Sequence, residues 1–126
     1  MKLRVARHTN NLENIKSFYA NILGLEILGG FENHNNYDGI FIGKPSENWH
    51  LEFTKSKEKI NISCNEEDYL VFYPENQLEY EQILKNIEAN KIKFITSKNL
   101  YWNENGKIIL DPDGFGVIIS QQNIKI

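Results

Sequence analysis

Residues 3–8 have the pattern of a short strand, and the chain then changes to a helical spacing of apolar positions. That helical series comprises Leu12, Ile15, Phe18, Tyr19, Ile22 and Leu23. Asn10 or Asn11 offers a capping oxygen before it, and Gly24 can end the helix in a left-handed conformation. Three segments with the composition of strands follow, at residues 25–31, 39–42 and 50–54, separated by turns rich in Asn, Gly and Pro. The first half therefore predicts the order βαβββ.

The second half repeats this order. Residues 69–73 are strand-like, Pro74 and Glu75 can open a helix, and Asn90 can close it. The inner face of this helix is predicted to comprise Tyr80, Ile83, Leu84 and Ile87. Three further strands are predicted at residues 92–95, 107–110 and 117–120, with a turn at residues 111–114. The same spacing separates the helix ends Leu23 and Ala89 and the strand residues Glu52 and Ile118.

A supersecondary unit repeated at a fixed spacing indicates two related modules whose sheets are not buried separately. We place module one at about residues 1–62 and module two at about residues 63–126, in one domain. A chain of 126 residues with 40% hydrophobic and 25% charged residues fits one globular domain. The start of the chain lacks the apolar stretch of a secretory signal, so we expect a cytoplasmic protein.

Composition excludes several partners and sites. No apolar run approaches the length of about 20 residues that spans a bilayer, so no membrane insertion is expected. The net charge of −3 and the scattered lysines give no electrostatic surface for nucleic acid. Cys64 is the one cysteine, which permits neither an internal disulfide nor a cysteine zinc site and favours an incidental thiol over a nucleophile.

A family resemblance is carried by motifs over nearly the whole chain. The motifs are Val5-Ala6-Arg7-His8-Thr9-Asn10-Asn11-Leu12-Glu13, Phe18-Tyr19, Leu23-Gly24-Leu25-Glu26, Tyr37-Asp38-Gly39, His50-Leu51-Glu52-Phe53, Tyr101-Trp102, Gly106 and Asp111-Pro112-Asp113-Gly114. With these the chain resembles the vicinal-oxygen-chelate superfamily of glyoxalases, bleomycin resistance proteins and dioxygenases, and most of all a branch of uncharacterised bacterial glyoxalase-like proteins. The resemblance implies an α+β fold in which two βαβββ modules form a curved mixed sheet around a cup, with frequent homodimers. It does not imply one reaction, because the superfamily also includes epimerases and fosfomycin-modifying enzymes.

Metal-dependent members of this superfamily take ligands from four positions that face the cup. The resemblance places these positions at Arg4, Glu52, Tyr69 and Ile118. Arginine has no lone pair to give, isoleucine has no donor atom, and tyrosine coordinates chiefly in special iron sites, so Glu52 is the one ordinary ligand. His50 shares a strand face with Glu52, but catalytic zinc sites normally use three protein ligands. We therefore expect no metal and no cofactor, with a divalent ion recruited by His50 and Glu52 as the alternative.

The chain has two arginines, Arg4 and Arg7, against 12 lysines, and both fall in the first strand. A planar guanidinium suits a carboxylate or phosphate that must be bound away from bulk water. The two arginines are predicted to anchor an anionic ligand, to form an internal ion pair such as Arg4 with Glu52, or to do both. A register slip of one residue would turn Val5 and Arg7 toward the cup in place of Arg4.

His50 and Glu52 are the candidates for acid–base catalysis, because neighbouring groups of these types can orient a proton transfer. The alternative for His50 is an ordinary hydrogen-bonded histidine on a half-buried strand. His34 lies in a polar turn and is expected to be exposed. His8, at the end of the first strand, is expected to be a surface or capping group.

Aromatic residues with polar tips, Tyr69, Tyr73, Tyr101 and Trp102, are candidates for enclosing a ligand. Alternatively they belong to the core or to a dimer interface. The residues assigned to packing are Phe31, Phe41, Phe53, Phe72, Phe94 and Phe115. Asp111 and Asp113 are assigned to turn stabilisation, since further oxygen ligands for calcium are missing.

The sequence favours a metal-independent protein that binds or sequesters a small aromatic or anionic compound, with Arg4, Arg7, Tyr69, Tyr73, Tyr101, Trp102 and Ile118 as its ligand-binding residues. The second hypothesis is a glyoxalase-like lyase or isomerase that uses His50 and Glu52. The third is a dimeric module without a small ligand.

Overall fold

The computed structural model describes residues 1–122 and divides into two compact units, Met1–Ile62 and a second that begins at Ser63. Each unit has its own sheet, four-stranded in the first and three-stranded in the second. Strands and helices alternate in both, which confirms the predicted α+β class. No helix within the described residues has the length and apolar composition needed to cross a membrane.

The first unit follows the predicted order βαβββ. Its elements are β1 (Leu3–His8), α1 (Leu12–Ser17), β2 (Glu26–His34), β3 (Tyr37–Gly43) and β4 (Trp49–Lys55). The Asn11 side chain caps α1 by accepting a hydrogen bond of 3.0 Å from the Asn14 backbone N–H. After α1 the chain continues as a π-helix over Phe18–Ile22, and Gly24 leaves it at a φ of 71°.

Strand order in the first sheet is β1-β4-β3-β2, with β1 and β4 parallel and the other pairs antiparallel. The connection between the parallel strands β1 and β4 includes α1. The apolar side of α1 and the neighbouring π-helix both contribute buried residues to the core. Tyr19 of the π-helix is fully buried, and its ring lies 5.0 Å from that of Phe53 on β4. The buried residues of this core are Ile15, Phe18, Tyr19, Ile22, Leu23, Leu25, Ile42, Leu51 and Phe53.

The hairpin between β2 and β3 closes through two residues. His34 pairs with Tyr37, so Asn35 and Asn36 form the loop, and both have positive φ angles, 51° and 70°. A type I′ turn requires this backbone at both central positions, and asparagine tolerates it. β2 also shifts register twice, between Ile27 and Gly29 and between Phe31 and His34, which extends the strand beyond its predicted end.

The second unit departs from the predicted repeat. Its elements are β5 (Tyr69–Phe72), α2 (Gln77–Ala89), α3 (Leu100–Asn105), β6 (Lys107–Leu110) and β7 (Gly116–Ile119), and the strand order is β5-β7-β6. α2 begins after the cap residue Asn76 rather than at Pro74, because the Asn76 side chain accepts the Glu79 N–H at 2.9 Å. The buried residues of this core are Ile83, Ile87, Ile108, Ile109, Val117, Ile118 and Ile119.

The strand predicted at residues 92–95 is wrong. Only Ile95 pairs, in an isolated bridge to Ile108, and the side chains of Phe94 and Ile95 are 49% and 39% exposed. Lys91 precedes the segment with a φ of 55°, so the chain leaves α2 through a left-handed residue before it reaches the sheet. The segment that follows forms α3, which the sequence pattern did not predict, and its cap residue Asn99 accepts the Tyr101 N–H at 3.2 Å.

The turn at residues 111–114 is a structural turn, as predicted. Asp111 is 4% exposed, and its Oδ1 accepts hydrogen bonds from the N–H groups of Asp113 at 2.9 Å and Phe115 at 3.1 Å. Gly114 supplies the left-handed conformation with a φ of 92°. This carboxylate is therefore committed to closing the β6–β7 connection.

Candidate functional site

One face of the first sheet, on the side away from α1, contains the candidate site residues Arg4, His50 and Glu52. The strand register pairs Arg4 with His50, Ala6 with Glu52 and His8 with Thr54. On β3, glycine alternates with phenylalanine on the same face. We call this surface the Arg4 face, and its members are Arg4, Ala6, His8, Gly39, Phe41, Gly43, His50, Glu52 and Thr54. Side chains of one parity in each strand share a face, so the set follows from the register.

Arg4 lies at the centre of the contacts on this face. Its Nε donates a hydrogen bond of 2.9 Å to His50 Nε2, and its Nη1 is 3.6 Å from Glu52 Oε2. The guanidinium carbon also lies 4.7 Å from the centre of the Phe41 ring, within the range of a cation–π contact. The Arg4 side chain nevertheless remains 50% exposed, whereas that of Glu52 is 16% exposed. The predicted ion pair between Arg4 and Glu52 is present, and its cation is open to solvent.

The contact with Arg4 assigns the acceptor role to His50 Nε2. Arginine Nε always carries a hydrogen, so His50 Nε2 must accept, and the imidazole is neutral with its proton on Nδ1. The ring also lies edge-on to Phe41, with 6.0 Å between centroids. His50 is thus held as a neutral acceptor of the arginine rather than as a free base.

Small residues on the Arg4 face differ in exposure. Ala6 is exposed between Arg4 and His8, and Gly39 lies beneath the ring of Phe31, where an added Cβ would overlap that ring. Phe31 and Phe41 are 5.9 Å apart and form an aromatic wall next to the arginine. Residue type alone assigns both phenylalanines to packing, and the missed signal is the strand alternation that puts Phe41 opposite Glu52.

His8 belongs to the same face, where it is half-buried. Its Nδ1 lies 2.8 Å from Thr54 Oγ1, and its Nε2 lies 3.3 Å from Ser56 Oγ. Its ring also contacts Tyr37 edge-on at 5.7 Å. The register that pairs His8 with Thr54 could not be deduced from the β1 sequence alone.

Arg7, expected as a ligand-binding residue, lies on the opposite side of the sheet. Its Nη2 donates a hydrogen bond of 2.7 Å to the Tyr19 hydroxyl, and its guanidinium carbon is 5.2 Å from the centre of the Phe53 ring. Since Tyr19 and Phe53 belong to the core beneath the π-helix, Arg7 stabilises that packing. Alternation along β1 thus separates the two arginines and turns Arg4, not Arg7, toward His50 and Glu52.

The second unit contains the other predicted site residues. The Tyr69 hydroxyl lies 2.6 Å from Ser97 Oγ, and Ser97 is joined to Asn103 by two hydrogen bonds of 2.7 and 2.8 Å. Tyr69 therefore connects β5 to the segment that contains α3. Tyr73 and Tyr101 are each 42% exposed, and Tyr101 contacts Trp102 edge-on at 4.9 Å between ring centroids.

Ile118, expected to form an apolar wall of the ligand site, has no exposed surface. Gly106 at the end of α3 approaches it so closely that an added Cβ would come within 2.6 Å of Ile118 Cγ2. The side chain is therefore packed in the protein interior, where a ligand does not reach it. Residue type predicts its apolar character, but its burial depends on α3, which local pattern did not predict.

Replacement of Tyr69 by phenylalanine is expected to loosen the segment at residues 97–105. The change removes the hydroxyl that bonds Ser97, and a hydrogen bond of this kind contributes roughly 1 kcal/mol. Hydrogen exchange followed by mass spectrometry should show that the variant exchanges faster than the unmodified chain in this segment, with a smaller change in α2. Tyr73→Phe, at an exposed tyrosine of the same unit, is the matched control, and equal exchange in the two variants would contradict the role of Tyr69.

A surface ion pair also touches the same segment. Lys98 pairs with Glu66, and the hydrogen bond and charge of that carboxylate raise the pKa of the ammonium. Both side chains are largely exposed, so the pair contributes little to stability. The Tyr69 hydroxyl is the more important connection.

The side chains on the Arg4 face that could bind a divalent ion contact other groups. Within residues 1–122 no three His, Cys, Asp or Glu side chains lie in positions to hold a metal together. His50 and Glu52 are the two potential metal ligands that the sequence predicted on this face, and both contact Arg4. A guanidinium beside both donors would repel a second cation.

A separate groove of about 530 Å³ lies beside the start of α1. Its lining residues are Asn10, Asn11, Leu12, Glu13, Lys16, Phe31, Glu32, Asp38, Gly39, Ile40 and Lys55. Neither Arg4 nor its partners His50 and Glu52 line it. Because carboxylates and ammonium groups are mixed there, its charge favours no class of ligand, and the Arg4 face is the better candidate site.

Comparison with solved structures identifies the class of fold. The chain superposes on glyoxalase I of Leishmania major with a TM-score of 0.74 and 16% identity, over 95% of this chain and 85% of that one. It superposes on the fosfomycin resistance protein FosX of Listeria monocytogenes, solved with Mn(II) and 1S,2S-dihydroxypropylphosphonic acid, with a TM-score of 0.69 and 10% identity, over 96% and 91%. The fold is that of the glyoxalase and fosfomycin resistance proteins of the vicinal-oxygen-chelate superfamily, as the resemblance implied.

Sequence comparison identifies the family within that class. Residues 3–54 match the YycE-like N-terminal domain, and residues 67–121 match the YycE-like C-terminal domain. The chain is 36% identical over 118 residues to the uncharacterized protein YycE of Bacillus subtilis, covering 93% of this chain and 85% of that protein. A crystal structure of a Bacillus subtilis YycE protein of unknown function superposes with a TM-score of 0.88 and 33% identity, over 98% and 91%. The chain belongs to the YycE-like family.

Proposed function

We propose that this chain is a glyoxalase-like protein that binds a small molecule without a metal ion, and that the molecule joins an anionic group to an aromatic or other apolar part. The observation that carries the proposal is the Arg4 guanidinium, which is half exposed and held in position by Phe41, His50 and Glu52. The positive charge at this place on β1 is supplied by an arginine side chain, so the proposal needs no metal ion to supply it.

The geometry of Arg4 suits a ligand carboxylate or phosphonate. Its Nε points to His50, which leaves the edge formed by Nη1 and Nη2 for two parallel hydrogen bonds to an oxyanion. The 3.6 Å separation between Nη1 and Glu52 is longer than a hydrogen bond, so a ligand oxygen can replace this contact. The rings of Phe31 and Phe41 lie alongside for the apolar part of the ligand.

Catalysis by His50 and Glu52 is the less favoured function. A general base needs a lone pair within reach of a substrate proton, and the lone pair of His50 Nε2 is occupied by Arg4. Glu52 is largely buried and faces the same arginine. Both groups are arranged to hold Arg4, which supports binding rather than proton transfer.

Arg4→Met should weaken binding of a small aromatic carboxylate, for which 3-phenylpropanoate is the probe. Protein treated with chelator is titrated with the probe and followed by calorimetry and by NMR signals of Arg4, Phe41 and His50. The variant retains a long side chain but loses the charge, so we expect an affinity loss of at least about tenfold.

Lys85→Met, at an exposed lysine of α2, removes the same charge elsewhere and should bind as the unmodified chain does. Binding that survives in Arg4→Met, or that appears only when a divalent ion is restored, would contradict the proposal. Turnover that disappears in Glu52→Gln would favour the lyase or isomerase instead.

A further inference from the structure

The charges on the Arg4 face balance each other. Arg4 contributes one positive charge and Glu52 one negative charge. His50 is neutral because it accepts from Arg4 Nε, and His8 lies between the hydroxyls of Thr54 and Ser56. The other members of the face carry aliphatic or aromatic side chains, or none. The bound molecule therefore meets a neutral pair of charges rather than a positive surface.

A ligand with only a negative charge would disturb this pair. To reach both terminal nitrogens of Arg4 it must displace Glu52, whose side chain is 16% exposed. The carboxylate would then be left largely buried without the cation that it faces, and a ligand anion at Arg4 would lie close to it. Removing one partner of a desolvated pair is costly, because the remaining charge has lost both its water and its counterion.

We propose, on the basis of the function proposed above, that the ligand is a zwitterion whose anionic and cationic groups are attached to the same carbon atom, as in an α-amino acid or an α-aminophosphonate. Its anionic group takes the Nη1–Nη2 edge of Arg4, and its ammonium group takes Glu52. One ion pair within the protein is thereby exchanged for two between protein and ligand. The 3.6 Å between Arg4 Nη1 and Glu52 Oε2 requires the two ligand charges to be close together.

The side chain of such a ligand is directed by the same contacts. Phe41 lies against one surface of the guanidinium, and Phe31 lies 5.9 Å from Phe41. Exposed Ala6 leaves room above β1, whereas Gly39 is covered by the ring of Phe31. An apolar side chain of the zwitterion therefore finds an aromatic wall next to its charged end.

Probes that share a phenethyl unit and differ in charge test the proposal. L-phenylalanine, 3-phenylpropanoate and 2-phenylethylamine carry both charges, the negative charge and the positive charge, respectively. Leucine and 4-methylpentanoate form a second pair with an aliphatic side chain. Calorimetry should give each amino acid an affinity at least about tenfold higher than its deaminated acid. NMR signals of the Arg4 side chain should move with both.

Glu52→Gln removes the negative charge of the site and leaves the positive charge of Arg4. Glutamine preserves the shape of the side chain but neither neutralises Arg4 nor attracts an ammonium group. In this variant 3-phenylpropanoate should bind several-fold more tightly than in the unmodified chain, and L-phenylalanine should lose its advantage. Glu88→Gln, at an exposed glutamate of α2, is the matched control and should leave both affinities unchanged.

The outcomes distinguish the inference from the function on which it rests. Equal affinities for the amino acids and their deaminated acids, with both lost in Arg4→Met, would overturn the zwitterion and leave the binding function standing. Weaker binding of 3-phenylpropanoate in Glu52→Gln would also overturn it. If none of the probes moved the Arg4 signals, both proposals would fail.

Discussion

Replacement of Phe53 by alanine should lower the free energy of unfolding by about 3–5 kcal/mol, as large-to-small changes at buried aromatic residues do. Phe53 is 1% exposed, packs against Tyr19 at 5.0 Å between ring centroids and lies beneath the Arg7 guanidinium at 5.2 Å. The change would leave a cavity between β4 and the π-helix and remove a ring from beneath the cation. Urea unfolding followed by circular dichroism measures the loss.

Phe94→Ala is the matched control, because the same atoms are removed from a side chain that is 49% exposed. It should change the unfolding free energy by less than about 1 kcal/mol. If the two variants lost equal stability, the central place of Phe53 in the first core would be wrong. A further readout is the Arg4 face, since β4 presents His50 and Glu52 from the other side of the strand.

Ile118→Glu should destabilise the second unit by about 3–5 kcal/mol at neutral pH, the cost of leaving a buried charge without a partner. The resemblance places one of the superfamily's four metal-ligand positions here, and glutamate is a residue type that can serve as a ligand. Ile118 has no exposed surface, and Gly106 of the neighbouring segment lies against it. An introduced carboxylate would therefore enter an apolar interior.

Ile118→Val provides the comparison, with an expected loss of about 0.5–1.5 kcal/mol for one methylene group. Thermal unfolding and urea unfolding of both variants give the measurement. A second control places the same new carboxylate on another strand: Lys107→Glu, at an exposed position of β6, should cost far less. Retention of full stability by Ile118→Glu would show that the position is accessible to water.

The elements of the first unit could be predicted because two sequence signals agreed there. Strand-like composition identified β1 and β4, and the helical spacing with its asparagine cap identified α1. The ion pair of Arg4 with Glu52 was one of the two predicted roles of the arginines, and it is present with the Arg4 side chain 50% exposed. The β1 sequence could not decide between Arg4 and Arg7, since that choice depends on which side α1 packs.

The second unit shows where local pattern fails. Residues 92–95 have the composition of a strand, yet only Ile95 reaches β6. The signal for α3 was present in Asn99, which caps the helix, but the segment contains no apolar series of helical period. Hydrogen bonds from Ser97 to Asn103 and Tyr69 fix it instead, and such tertiary contacts are not written in local periodicity.

The sequence predicted the ionisable residues at the centre of the candidate site, but not the residues that surround them. Residue types alone identified Arg4, His50 and Glu52, because these are the groups with unusual chemistry on short strands. Phe41 and His8 joined them only through the register of β1 and β3 with β4. Register is set by the whole sheet, so a single strand read alone does not reveal its neighbours.

The two register shifts of β2 have a consequence for the protein at high concentration. β2 is the outer strand of its sheet, and Ile27 and Leu28 are 42% and 40% exposed on it. A straight outer strand with such residues would offer its free backbone groups to another molecule and begin an aggregate. The bulges between Ile27 and Gly29 and between Phe31 and His34 interrupt that row. We therefore expect this irregularity to disfavour pairing of β2 with a strand of another molecule.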